Sequence, residues 1–452
     1  MSKSVSILDF GAVSDGTLQT AAIQAAIDDC FLAGGGTVTV PAGEFLTGGI
    51  RLRSHVTLYL QSGAKLIGSR DPADYFAWQK DTIEPFPDEV RTDVHWSPAF
   101  TGRDISFLIK AGSSWSNGLI RAFRAEQIAV IGEPGSLIDG RDPYDETGEE
   151  HYRGPHGMNF HECKGVTLRG YTIQNTGNWA HSIFYTEDIK ADHVTVIAGH
   201  DGFHFSSCDR ISITDCDLAT GDDCIAGFDN NNVYVDHCEL NTACSAFRFG
   251  GNKVLVENCH IYGPAKYLFR GSLSVQEKID GAHVGNNGRY NMLSIFTYYS
   301  DFSLTVRRTP GEILFRNCQV ENTTRFIHFN FSGNEPWQNN RPLSSARFEN
   351  ITVDGASMPI HCYGSPDEPA TIELDHVTIR LKDGYEWQEF FKIANLDCLR
   401  LTDVTVENLP TDRQVFASWG GVKKIELSGF NLGNDPEALL TERTDPFECN
   451  PI

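Results

Sequence analysis

The chain has 452 residues, with 60 acidic side chains against 37 lysines and arginines and a formal net charge of −23. That excess of negative charge repels polyanions and so excludes nucleic acid and anionic membrane surfaces as expected partners. No run of 18 apolar residues occurs, and the opening MSKSVSILDFGA carries no apolar leader, so a cytoplasmic protein that does not span a membrane is expected.

The first predicted element is an α-helix over 21–31, where Ile23, Ala26, Ile27, Cys30 and Phe31 recur at helical spacing and a glycine run, 34–36, stops them. It belongs to an N-terminal segment, 1–50, expected to cap the end of the structure that follows. Residues 51–434 are expected to form that structure, with loop insertions at 71–100, 142–157 and 271–310. These insertions are rich in aromatic and amide side chains, among them Tyr75, Trp78, Trp96, Asn286, Tyr298 and Tyr299. Such residues either grip a ligand from a cleft rim or pack beneath the loops.

Between 166 and 261 one pattern recurs five times: VTLRGYTI, IKADHVTV, ISITDCDL, VYVDHCEL and VLVENCHI start 23, 22, 22 and 21 residues apart. A short strand with alternating apolar residues, repeated at about 22 residues with no helix between copies, indicates a parallel β-helix. A solenoid lengthens by adding coils, so the whole of 1–452 is read as one domain. Successive coils stack at roughly 4.8 Å, so residues about 22 apart become neighbours.

That registry aligns HDGFHF (200–205), DDCIAG (222–227) and CSAFRF (244–249). The expected columns are His200, Asp222, Cys244; Asp201, Asp223, Ser245; and His204, Ala226, Arg248. Three carboxylates thereby meet on one face. Like charges so placed repel, so at least one carboxyl is expected to have a raised pKa and to hold a proton near neutral pH. A protonated acid beside ionised partners is suited to breaking an acetal bond. Aspartate pairs also serve in tight turns and in calcium sites, and spacing alone leaves all three readings open.

Cys216, Cys238, Cys259 and Cys318 take the sixth place of the strand repeat, where other coils carry Tyr171, Val194 or Ile351. That place points inward, so these cysteines are expected to be free, buried thiols. No C-x-x-C pair with zinc spacing appears, and neither a metal nor another cofactor is predicted. The last coil is expected over 423–434, followed by an acidic tail, 435–452, wrapped loosely.

In SILDFGAVSDG (6–16), GGGTVTVPAGEFLTGGI (34–50), VTLYLQSGAKLIGS (56–69), IDGR (138–141), NTGNWAHSI (175–183), HDG (200–202) and TGDDCIA (220–226), the chain resembles the polygalacturonases and their relatives in glycoside hydrolase family 28. The likeness runs over about residues 5–320. It implies an all-β fold, a single-stranded right-handed parallel β-helix, and an inverting hydrolase of glycosidic bonds. Carried over by motif, Asp222 would be the general acid, and Asp201 and Asp223 would activate water. Two departures stand out. The family's Gly-His-Gly motif falls at Ala243, Cys244 and Ser245, and its Arg-Ile-Lys motif falls near Leu268 and Arg270, so one cation remains. Candidate substrate-binding residues are His200, His204, Arg248, Arg270, His181 and Cys244. Arg248 is equally readable as an ion pair to Asp201 or Asp223, and His181 as a partner for a backbone carbonyl.

The expected function is therefore hydrolysis, exo-acting where loops close the cleft, of a pectin-derived oligosaccharide or related small plant glycoside. A uronate-directed lyase or epimerase, or a carbohydrate-binding relative without turnover, remains open at this point.

Overall fold

The computed structural model describes residues 3–75, 117–143, 153–267, 269, 291–300, 308–331, 337–338 and 340–445. Arg270, Trp78, Trp96 and Asn286 lie outside them. The described residues fall into two compact units. The first holds those up to Asp222 together with Tyr267 and Phe269, and the second holds 223–266 and those from 291 onward.

In the first unit the expected helix spans Thr20–Leu32 and buries Ile23, Ala26, Ile27 and Cys30. The glycines end it as predicted. Gly34 and Gly35 both take positive φ, at 89° and 113°, and the Gly35 N–H donates to the Cys30 carbonyl at 2.9 Å, a geometry that favours residues without Cβ. Behind the helix, strands stack in parallel with three per coil. His156–His161, Lys164–Arg169 and Thr172–Gln174 make one coil. His181–Phe184, Glu187–Asp192 and Thr195–Ala198 make the next, and Phe203–Ser206, Asp209–Thr214 and Asp217–Thr220 the one after. Register runs Met158 to His181 to Phe203 on the first face, Val166 to Ile189 to Ile211 on the second, and Ile173 to Val196 to Leu218 on the third. The inward side chains of these strands are buried. The 22-residue period of the sequence is thus the circumference of a coil, and the fold is the predicted parallel β-helix.

Tight corners separate the faces. The residue before the inward cysteine position adopts left-handed backbone at His193 and Asp215 in the first unit, and at His237, Asn258, Asn317, Asn350, His376 and Asp403 in the second. Asn, Asp and His tolerate this region better than most side chains. In the second unit the corner asparagines also form a ladder, Asn350 donating to Asn317, Asn317 to Asn258 and Asn258 to Asp236. Cys216 in the first unit and Cys238, Cys259 and Cys318 in the second are buried thiols outside any disulfide, as expected. Each thiol lies within bonding reach of the carbonyl two residues before it.

The second unit carries a column of parallel register from Ala226 to Arg248, Thr297, His328, His361 and Lys392. Two sequence expectations are corrected here. The insertion expected over 271–310 includes a strand, Met292–Tyr298, all seven residues of which are buried. With both of its faces covered, MLSIFTY shows no apolar–polar alternation, so its period was hidden. The tail expected from 435 begins with a short helix, Pro436–Leu439, N-capped by Asp435, and adds a strand, Leu440–Glu442, which pairs with Gln414–Ser418. Three residues are too short for a periodic signal.

Candidate functional site

The candidate acids sit where the chain turns into the first strand of a coil. Asp201 precedes Phe203–Ser206, and Asp222 and Asp223 precede Ile225–Asp236. The first unit ends at Asp222 and the second begins at Asp223.

In the first unit, Asp201 is buried and its Oδ2 accepts from His204 Nδ1 at 2.9 Å. The His204 ring lies flat against the indole of Trp179, with ring centroids 3.8 Å apart and planes 2° from parallel. His156 packs on the same indole at 5.2 Å. Asp222 is the more accessible acid, its side chain 16% exposed, and Arg153 Nη2 stands 3.9 Å from its Oδ2. Arg153 Nη1 in turn donates to Asn178 Oδ1 at 3.4 Å, and the same oxygen accepts from the Trp179 N–H at 3.0 Å. The segment NTGNWAHSI therefore braces both acids. Asn178 steadies the arginine beside Asp222, and Trp179 steadies the histidine on Asp201. At its start, Asn175 Oδ1 accepts from the Tyr267 hydroxyl at 2.7 Å.

His181 braces from below. It is fully buried and stacked on Phe203 at 4.2 Å. Its Nδ1–H donates to the Gly202 carbonyl at 2.9 Å, which leaves Nε2 to accept from the Tyr171 hydroxyl at 3.0 Å. Of its two sequence readings the structure supports the partner for a backbone carbonyl and corrects the substrate contact: both nitrogens are used inside the protein. It fixes the backbone one residue past Asp201. Burial pushes its pKa down to about 4, against the upward pull of the Gly202 bond. Because the folded value lies below the ordinary one, the neutral ring stabilises the fold above about pH 6.5, and that contribution is lost as pH falls towards 4. A shift of this size is worth on the order of 3 kcal/mol. Thermal melts of the wild type and of His181→Gln should therefore differ most near pH 7 and converge towards pH 4.5; a gap that stays constant would contradict a neutral, buried His181.

His200 is buried, with Phe269 edge-on at 6.5 Å. Its position beside Asp201 follows from the sequence; its burial does not, because the covering Phe269 comes from a segment almost 70 residues further along.

In the second unit, Asp223 is fully buried. Its Oδ1 accepts from the Ser245 N–H at 2.9 Å, and the Cys224 N–H donates to the Ser245 carbonyl at 3.1 Å. The expected column of Asp223 and Ser245 is thereby observed, as is the pairing of Ala226 with Arg248. Arg248 Nη1 lies 3.8 Å from Asp223 Oδ2. Its guanidinium also faces two rings, Tyr299 at 4.5 Å and Trp337 at 5.2 Å. The ion-pair reading of Arg248 holds, and its side chain is 31% exposed. Cys244, in the place of the expected histidine, is half-buried and its N–H donates to Thr242 Oγ1 at 2.8 Å. Arg153 reaches Asp222 from the insertion over 142–157 and Trp337 reaches Arg248 from a turn, so counting along the repeat could not pair them, whereas Tyr299, one of the aromatics expected on the third insertion, directly follows the strand Met292–Tyr298.

The first unit supplies one partly exposed carboxyl and one buried carboxyl held by a fixed donor, groups of the kind that protonate a leaving group and activate water. Comparison with known proteins bears on the chemistry. Residues 100–246 match the model of Glycosyl hydrolases family 28. A "Probable polygalacturonase" of Vitis vinifera is 30% identical over 236 residues, 49% of this chain and 44% of its own length. An "Exo-poly-alpha-D-galacturonosidase" of Dickeya chrysanthemi is 50% identical over 74 residues, 16% of this chain and 12% of its own length. The chain thus matches less than half the length of either relative. A solved family 28 exopolygalacturonase of Yersinia enterocolitica superposes with a TM-score of 0.63 at 18% identity, covering 95% of this chain and 79% of that one, which bears on the fold.

Proposed function

We propose that this polygalacturonase-like chain is a glycoside hydrolase that cleaves pectin-derived oligosaccharides or related small plant glycosides, inverting the anomeric centre and acting from a chain end. The observation that carries this reading is the pair of differently placed acids in the first unit: Asp222, partly exposed beside Arg153, and Asp201, buried and held by His204.

In this reading Asp222 protonates the glycosidic oxygen as the bond breaks, and Asp201 removes the proton from the attacking water. The His204 Nδ1–H orients the Asp201 carboxylate. Asp223, which follows Asp222 in the chain, shares the base role, with the Ser245 N–H donating to its Oδ1 and Arg248 facing its Oδ2. Arg248, flanked by Tyr299 and Trp337, suits contact with a sugar ring or its carboxylate. The family 28 match and the two polygalacturonase-type relatives support hydrolysis.

Incubation with a panel of oligogalacturonates and neutral plant glycosides, followed by product analysis, tests the proposal. New reducing ends, released one sugar at a time, are expected. An unsaturated uronide would instead mean elimination, and an unchanged panel would mean no turnover.

A further inference from the structure

Away from the three acids, the second unit buries a set of cationic and imidazole side chains for which the hydrolytic reading has no use. His328, His361 and Lys392 stand in one register column, each on a successive coil. Their flanking residues Ile327 and Phe329, Ile360 and Cys362, and Phe391 and Ile393 are all core, so the three project together from the opposite face of the strands. All are less than a tenth exposed, as is Arg325, whose Nη1 donates to His328 Nδ1 at 3.0 Å.

His361 makes the arrangement unusual. It is fully buried, yet neither ring nitrogen has a hydrogen-bond partner. A buried polar atom without a partner costs about 1–3 kcal/mol, and such atoms call for a specific explanation. Burial pushes the pKa of this ring well down, and the ionisable neighbours that act on it in the same direction are Arg325, His328 and Lys392. An anion would satisfy the ring. Aromatic rings border the cluster: Tyr363 lies 5.6 Å from the His361 ring, and Trp419 lies beneath Lys392 Nζ at 5.2 Å. The acid nearest in sequence, Glu389, is engaged by Arg443 at 3.3 Å.

We propose that Arg325, His328, His361 and Lys392 form a subsite for the carboxylate of a uronic-acid sugar, with Tyr363 and Trp419 beside the sugar ring. It takes its choice of ligand from the proposed function. The column joins it to Arg248 through Thr297, so the subsite lies along the same strand face as Arg248, displaced by whole coils of roughly 4.8 Å.

Two measurements test it, and neither needs turnover. Crystals soaked in galacturonate should show a carboxylate within hydrogen-bond distance of the His361 ring and Lys392 Nζ. In solution, galacturonate affinity should fall about tenfold in both His361→Phe and Lys392→Met, each checked for a wild-type melting profile, whereas galactose binding should not respond. An empty cluster in the soaked crystal, density at crystal concentration with no effect of either variant in solution, or equal loss of galactose binding would overturn the proposal. A chain that cleaves nothing yet binds galacturonate here keeps the subsite and loses the hydrolase; one that cleaves oligogalacturonates with the cluster empty does the reverse.

Discussion

Replacing Asp222 with asparagine should lower kcat on a cleaved oligosaccharide by about 10²–10⁴-fold, the usual contribution of a positioned general acid. The amide keeps the volume and can still face Arg153, so the fold should melt as the wild type does. What is lost is the proton. Without it the departing sugar leaves as an alkoxide, and the penalty depends on the leaving group. Substrates with a good leaving group, such as a nitrophenyl glycoside, should be cleaved far less impaired than a natural sugar linkage. If both substrate types lose activity equally, Asp222 does not act as the acid. If neither loses activity, it is a turn residue, one of the readings that spacing alone left open.

The second large effect is expected at Asp201 and His204. These two are buried together and bonded at 2.9 Å, so removing either partner takes away a hydrogen bond to a carboxylate, a loss of about 1.5–3 kcal/mol. Asp201→Asn should cut kcat by two orders of magnitude or more, consistent with removal of a general base. His204→Phe keeps an aromatic ring on Trp179 and removes the hydrogen bond to Asp201; it should cost less, with kcat falling more than KM rises. Because the two act as a unit, the double variant should be little worse than Asp201→Asn alone. Fully additive losses in the double variant would mean that His204 serves the substrate directly and does not orient the base.

How far these residues were readable from the sequence depends on which interactions place them. The 22-residue period fixes register, so columns such as Asp223 with Ser245 and Ala226 with Arg248 could be written down before any coordinate and are observed. The inward cysteines and the capping helix followed from periods of two and 3.6 in the same way. Contacts that arrive from outside the repeat could not be found by counting. Arg153 reaches Asp222 from the end of an insertion, and Trp337 reaches Arg248 from a turn beyond the strand Thr323–Asn330.

His181 shows the complementary difficulty. Its place one coil before Asp201 was legible, but the sequence cannot say whether a polar residue beside a site faces the ligand or the backbone. Here Phe203 beneath the ring and Tyr171 at its far nitrogen settle the matter. The strand Met292–Tyr298 escaped for a different reason: covered on both faces, it shows no alternation to distinguish it from a hydrophobic loop.

The central claim is that aspartates placed by the stacking of coils hydrolyse a glycosidic bond with inversion. Proton NMR of the first product formed from an α-linked oligogalacturonate tests it directly, before the free sugar mutarotates. The account predicts that the new reducing end appears first as the β anomer; first appearance of the α anomer, or of no reducing end at all, would contradict it.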